Sequence, residues 1–286
     1  MYDEPLFRLL GPVQMVVNGQ TVRLGDRKQR LVLAVLLLEA NHLVPLARLV
    51  DLLWPANPPA SARRIVQAHL SRLRTTLAAV TAKSPDLAVE LVRRGSGYTL
   101  TCDPQLIDAH RFRLLLDQAR GKTDVSEKAA LLRLALSLWR GPALADVSTE
   151  EVHAELCRAL DEARLSAIEE RTMAELRLGY AGKLIYELTE LAARHPFRLR
   201  FASLLMLALY REGRAADALT VYTRLRQRLG DELGLEPPAE LKQLQVAILR
   251  ADPALHRDGP SLAAVLPFLE PQAAPSRVPL AADHSP

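Results

Sequence analysis

A chain of 286 residues that is 49% apolar and 24% charged has room for two globular domains, and it lacks the run of about 18 apolar residues that a membrane-spanning helix needs. Its net charge of +4 is unevenly held: residues 1–102 carry 13 Lys and Arg against 7 Asp and Glu, residues 103–252 carry 22 against 23, and residues 253–286 carry 2 against 3. A basic head on a nearly neutral body is expected where one domain meets phosphate and the other does something else, and with no charged-then-apolar leader the chain is expected in the cytoplasm.

Three β-like runs come first, Leu6 to Leu10, Val13 to Val17 and Thr21 to Leu24, broken by Gly11-Pro12 and Asn18-Gly19. They predict a small antiparallel sheet. Asp26-Arg27-Lys28-Gln29-Arg30 then leads into the apolar run Leu31 to Leu38, a buried helix, and a short helix is expected from Leu46 to Leu53. The stretch from Leu52 to Pro85 contains no carboxylate, and most of it has the periodicity of one helix from Ser61 to about Val80, with Ser61 as N-cap after Pro58-Pro59-Ala60. Turned 100° per residue, Ala62, Ile65, Val66, Leu70, Leu73, Leu77 and Val80 form one stripe. Arg64, Gln67, Ala68, Ser71 and Thr75 fall opposite, flanked by Arg72 on one side and by Arg63 and Arg74 on the other. The apolar stripe needs a core, whereas the cationic face with no acid to neutralise it suits a polyanion.

Two further β-like runs, Leu87 to Val92 and Tyr98 to Thr101, are joined by Arg93-Arg94-Gly95-Ser96-Gly97, whose two glycines allow a tight hairpin. A sheet, three helices and a hairpin wing resemble the OmpR-type winged-helix DNA-binding domain, a two-component-like output domain. Residues 1–103 are assigned to it.

From Asp108 the chain has helical periodicity throughout, and residues 108–252 form the second expected domain. Phe112, Leu115, Leu116 and Ala119 begin it, Ala129 to Trp139 continues it, and Leu156 to Leu178 is a long Glu- and Arg-rich helix. Helices of about a dozen residues then alternate with breaks at Gly179 to Gly182, His195-Pro196 and Gly213-Arg214, the pattern of a tetratricopeptide-like array. Trp139, Met206, Tyr210 and Tyr222 could line a peptide groove, but aromatics at helical spacing belong more often to a core. Residues 253–286, punctuated by prolines, are expected to be mostly disordered, with Leu262 to Leu269 as a short docked segment. The predicted fold is therefore mainly α with small β elements: a winged helix-turn-helix followed by an all-α array.

Leu9-Leu10-Gly11-Pro12-Val13, Arg27-Lys28-Gln29-Arg30, Leu52-Leu53-Trp54-Pro55, Leu70-Ser71-Arg72-Leu73-Arg74 and Gly95-Ser96-Gly97-Tyr98 occur in that order. So do Leu138-Trp139-Arg140-Gly141-Pro142-Ala143-Leu144 and the run from Ala208 to Leu219. Together these motifs, from about Leu6 to Leu255, resemble the Streptomyces antibiotic regulatory protein family of pathway-specific activators. The resemblance implies a bacterial transcriptional activator domain after the winged helix, homodimers on direct repeats in promoter DNA, and recruitment of RNA polymerase through its sigma and alpha subunits. Carried across residue by residue, it implies base reading by Arg72 and phosphate or mixed roles for Arg64, His69 and Arg74. The full DNA-binding set is Arg63, Arg64, Gln67, His69, Ser71, Arg72, Arg74, Thr75, Arg93 and Arg94.

Catalysis is not expected. Gly95-Ser96-Gly97 is not a nucleophile elbow, the seven histidines are scattered, and no paired carboxylates stand out. Neither metal nor cofactor is expected: Cys102 and Cys157 lack ligand spacing, and no GxxxxGK[ST] phosphate loop is present. The competing reading is a helical-repeat scaffold whose basic head binds RNA or binds non-specifically.

Overall fold

The structure, a computed structural model, describes residues 6–83 and 87–256. Strands β1 (Phe7–Arg8), β2 (Gln14–Val17) and β3 (Gln20–Val22) form an antiparallel sheet in that order, with Met15 opposite both Phe7 and Val22. Asn18 and Gly19 are both left-handed, φ 50° and 75°, as a two-residue hairpin turn demands. Helix α1 (Arg27–Leu38) begins at Asp26, whose carboxylate accepts from Gln29 N–H at 2.9 Å, and it buries Leu31 through Leu37. Strand β4 (Val44–Pro45), helix α2 (Leu46–Leu53), helix α3 (Ala62–Lys83) and the hairpin of β5 (Glu90–Arg94) and β6 (Gly97–Thr101) follow. The second sheet has the order β4-β6-β5, so this is a winged helix-turn-helix.

The sequence puts β1 at Leu6 to Leu10, whereas the strand ends at Arg8. The reason lies a hundred residues away. Helix α4 (Asp108–Arg120) starts with a buried carboxylate that accepts from Leu9 N–H at 2.7 Å and Leu10 N–H at 3.0 Å, so these two amides leave the ladder. After α5 (Val125–Ser137) the chain returns to the same segment: Arg140 N–H donates to Leu10 O at 2.7 Å, Leu144 N–H to Leu9 O at 2.9 Å, and Ala145 N–H to Gly11 O at 3.1 Å. Asp146 accepts from Val13 N–H at 2.7 Å and pairs with Arg30 at 2.8 Å, while Arg27 donates to Val147 O at 2.9 Å. Helix α6 (Glu150–Val152), a π-helical turn (His153–Cys157) and α7 (Arg158–Arg177) come next.

One hydrophobic core runs from Leu6 through the winged helix to Ala167, and the compact division of the chain falls after Ile168. The charge step at residue 103 places a boundary some 60 residues earlier; the buried seam between Leu9–Val13 and Asp108, Arg140 and Asp146 is what draws residues 108–168 into the same compact unit as the head. Trp139 is part of this core, edge-on to Phe112 at 5.5 Å. Cys102 and Cys157 are buried free thiols that burial pushes up to about 12 and about 11, so neither is a thiolate at neutral pH.

Among its described residues, the unit beginning at Glu169 is helical with short connecting turns. Helices α8 (Ala181–Arg194), α9 (Leu199–Arg211), α10 (Ala215–Leu233) and α11 (Ala239–Leu249) pack as successive hairpins about α9, in which Phe201 through Tyr210 are all buried. Met206, Tyr210 and Tyr222 are core side chains and line no peptide groove. Glu169 in α7 binds Arg198 and Arg200. Residues Pro253–His256 form a 3-10 turn with Leu255 buried, ordered where the sequence predicts the start of a disordered tail; the docked segment expected at Leu262 to Leu269 lies outside the described residues. Among the described residues no helix is long and apolar enough to cross a membrane.

Candidate nucleic-acid interface

Helix α3 is held by the stripe its sequence predicts. Ala62, Val66, Leu70, Leu73 and Leu77 are buried, and Ser61 takes the N-cap place, its carbonyl accepting from Ile65 N–H at 3.0 Å. Arg63, Arg64, Gln67, Ser71, Arg72, Arg74 and Thr75 all stand exposed on the other side. No acid interrupts the helix from Ala62 to Lys83. Among the described residues Arg63, Arg64 and Arg72 make no side-chain hydrogen bond or ion pair, so their charge is available to a ligand. Two of the set are partly committed within the protein: Arg74 Nε donates to Leu91 O at 3.1 Å, fastening α3 to the wing, and the Thr75 hydroxyl donates back to Ser71 O at 3.2 Å.

His69 departs from the expected set. It is only 4% exposed, it lies on the core side of α3, and its Nδ1 has no hydrogen-bond partner. Burial pushes its pKa below the ordinary histidine range, with Arg72 and Lys28 acting in the same direction and Asp26 opposing them. A neutral, buried imidazole offers nothing to a groove, so His69 is removed from the contact set. Its place between two apolar stripe positions, Val66 and Leu70, carried that signal in the sequence.

Lys28, outside the contact set read from the sequence, belongs to the basic run Arg27-Lys28-Gln29-Arg30. Its ammonium lies 3.9 Å over the Trp54 ring, and its field, with that of Arg72, reaches His69. Arg27 and Arg30 of the same run are spent on Val147 O, Gly25 O and Asp146. Lys28 is thus the member of that run left to extend the cationic face of α3 onto the start of α1. Asp26, at the N-cap of α1, is held below the usual carboxylate range chiefly by the Gln29 amide.

The wing carries Arg93 and Arg94 as the last residues of β5, both exposed, opposite Tyr98 and Gly97. Its two glycines have different jobs. Gly95 is left-handed, φ 54°, in open space, whereas a Cβ on Gly97 would sit 2.4 Å from Val44 O. Gly97 is there because β4 crosses against β6, and the turn is tied down further by Leu46 N–H donating to Ser96 O at 3.2 Å.

Residues 19–100 match the family profile described as transcriptional regulatory protein, C terminal, and residues 107–249 match the bacterial transcriptional activator domain. The regulatory protein DnrI of Streptomyces peucetius is 39% identical over 90% of this chain and 96% of its own length. The transcriptional regulator RedD of Streptomyces coelicolor is 38% identical over 86% of this chain and 71% of its own. The structure of EmbR of Mycobacterium tuberculosis, solved in complex with a low-affinity phosphopeptide, superposes with a TM-score of 0.80 at 30% identity, covering 92% of this chain and 68% of that one. The two profiles are separated only by residues 101–106, between β6 and α4, and with the relatives they settle the family: this chain belongs to the Streptomyces antibiotic regulatory proteins, DNA-binding transcriptional activators with a winged helix and an activator domain.

Proposed function

We propose that the exposed face of α3 enters the major groove of promoter DNA and that the β5–β6 wing reaches the adjacent minor groove, so that the chain switches on a secondary-metabolite gene cluster. The observation that carries this is a 22-residue helix without one acid, whose outward Arg63, Arg64 and Arg72 make no side-chain hydrogen bond or ion pair among the described residues. A helix is about 10–12 Å across with its side chains, and the major groove of B-DNA, about 12 Å wide, admits it. In this reading Arg72 reads a base edge. Arg63 and Arg64, in the first turn where backbone N–H groups point outward, hold phosphate, and Arg74 does so through the terminal nitrogens that Leu91 leaves free. Gln67, Ser71 and Thr75 complete the face, and Arg93 and Arg94 serve the wing. Two protomers would lie head to tail on direct repeats spaced by a helical turn, with RNA polymerase engaged through its sigma and alpha subunits.

The test is a gel shift of the full chain on duplex DNA and duplex RNA of one sequence, then footprinting upstream of the neighbouring genes. Preference for DNA and two protected sites about 10–11 base pairs apart, or a multiple of that, are expected. Equal affinity for duplex RNA, whose major groove is too narrow for a helix, would favour a scaffold with a non-specific basic head instead.

A further inference from the structure

A groove of about 920 Å³ lies between the C-terminal half of α3 and β5, on the flank of the wing. Its floor is the buried edge of the core, Leu77, Val89 and Leu91. Three alanines, Ala78 and Ala82 one turn apart on α3 and Ala88 before β5, keep its walls apart where longer side chains would close them. The walls are fixed rather than free to collapse, because Arg74 Nε donates to Leu91 O of β5 at 3.1 Å and Thr81 Oγ1 to Val89 O, just before β5, at 3.3 Å. Two guanidinium groups, of Arg74 and Arg93, stand at its edge against one carboxylate, Glu90. The Arg93 side chain makes no hydrogen bond or ion pair among the described residues.

An apolar floor within fixed walls, of a volume that suits a compact organic molecule, with a few polar groups at the rim, is the form of a small-molecule site rather than of a surface left bare by chance. The rim decides the charge of the ligand. A carboxylate or sulfonate receives two donor-rich cations in the planar geometry that guanidinium groups favour, whereas an amine would be repelled by both and attracted only by Glu90. We propose that this groove binds an apolar molecule bearing a single carboxylate or sulfonate. The assignment shares Arg74 and Arg93 with the nucleic-acid reading but does not depend on it, since it rests on the cavity and its rim and no DNA enters the test.

The full chain is titrated with 1-anilinonaphthalene-8-sulfonate by fluorescence, and the bound probe is then displaced with decanoate or with neutral decanamide. One saturable site is expected, with decanoate displacing the probe at a concentration about tenfold lower than decanamide. Ala82→Phe and Ala88→Phe, which fill the groove from opposite walls, should each weaken probe binding by about tenfold or more while circular dichroism melts like wild type. Arg93→Gln should cost decanoate about fivefold and leave decanamide unchanged. Non-saturating binding, retention of the probe by either filling variant, or equal displacement by the two competitors overturns the proposal. Should both filling variants fail to fold, the exposed Arg93→Gln decides alone, and unaltered decanoate binding there overturns it.

Discussion

Replacing Asp108 with alanine removes the acceptor for two buried amides, those of Leu9 and Leu10, along with a carboxylate 3.7 Å from Arg140. An amide left unsatisfied in the interior costs about 1–3 kcal/mol, and the pair would cost more than most substitutions do. Against this stands the cost of keeping the charge itself out of water. Burial pushes the Asp108 carboxyl from its ordinary 3.8 up to about 6, with the two amides and Arg140 only partly opposing it. The folded protein therefore binds the proton more tightly than the unfolded chain, so the stabilisation from this group is complete below about pH 4 and is lost as the pH rises through 6. At neutral pH the two effects leave Asp108→Ala destabilising by about 2–4 kcal/mol. Between pH 7 and pH 5, wild type gains about 1.4 kcal/mol that the variant does not, so the cost of the substitution is larger in acid. Urea denaturation followed by tryptophan fluorescence measures this cleanly, because the only two tryptophans, Trp54 and Trp139, both lie in the unit that ends at Ile168. The same cost at pH 5 and pH 7 would refute the raised carboxyl, and a cost under about 1 kcal/mol at both would refute the seam itself.

The wing glycines give a contrast: Gly97→Ala, driven against Val44 O, should cost about 3 kcal/mol or more in thermal denaturation, while Gly95→Ala, left-handed but in open space, should cost about 1–2. The reverse order would show that β4 does not constrain the hairpin. Arg72→Ala should lose about 1–3 kcal/mol at a cognate site and relax preference for one base, whereas Arg64→Ala weakens all duplexes alike; an unchanged ratio of cognate to scrambled affinity for Arg72→Ala would end the base-reading assignment. Arg94→Ala should flatten the dependence of log K on log salt by roughly 0.9 and erase any preference for flanking A·T pairs, and identical slopes would place Arg94 in solvent. Residues 1–105 made alone lose Asp108 and Asp146 as acceptors, so this fragment should melt well below residues 1–168; coincident melting curves would show that the head folds without the seam.

What the sequence conveyed were the features whose causes are local. The stripe of α3 follows from a 3.6-residue period, the Asn18-Gly19 turn from two residues that tolerate positive φ, and the cationic face from the absence of acids over a contiguous run. What it withheld depends on partners distant in the chain. Strand β4 is two residues long and exists because β6 pairs with it, and β1 stops at Arg8 because Asp108 claims the next two amides. His69, between the stripe positions Val66 and Leu70, carries a core signal in the sequence, but how completely it is buried depends on what packs against α3. The motifs Leu9-Leu10-Gly11-Pro12-Val13 and Leu138 to Leu144 were legible separately as family marks, but not as two sides of one hydrogen-bonded seam. That seam alters the meaning of the charge step. A change of net charge near residue 103 marks a change in what the surface meets, while cohesion is set by buried amides and shared apolar contacts, which carry no net charge and continue to Ile168. A charge boundary can thus fall inside a compact unit, and in this chain the helices that follow the wing hold the DNA-binding head in shape without adding to its charge.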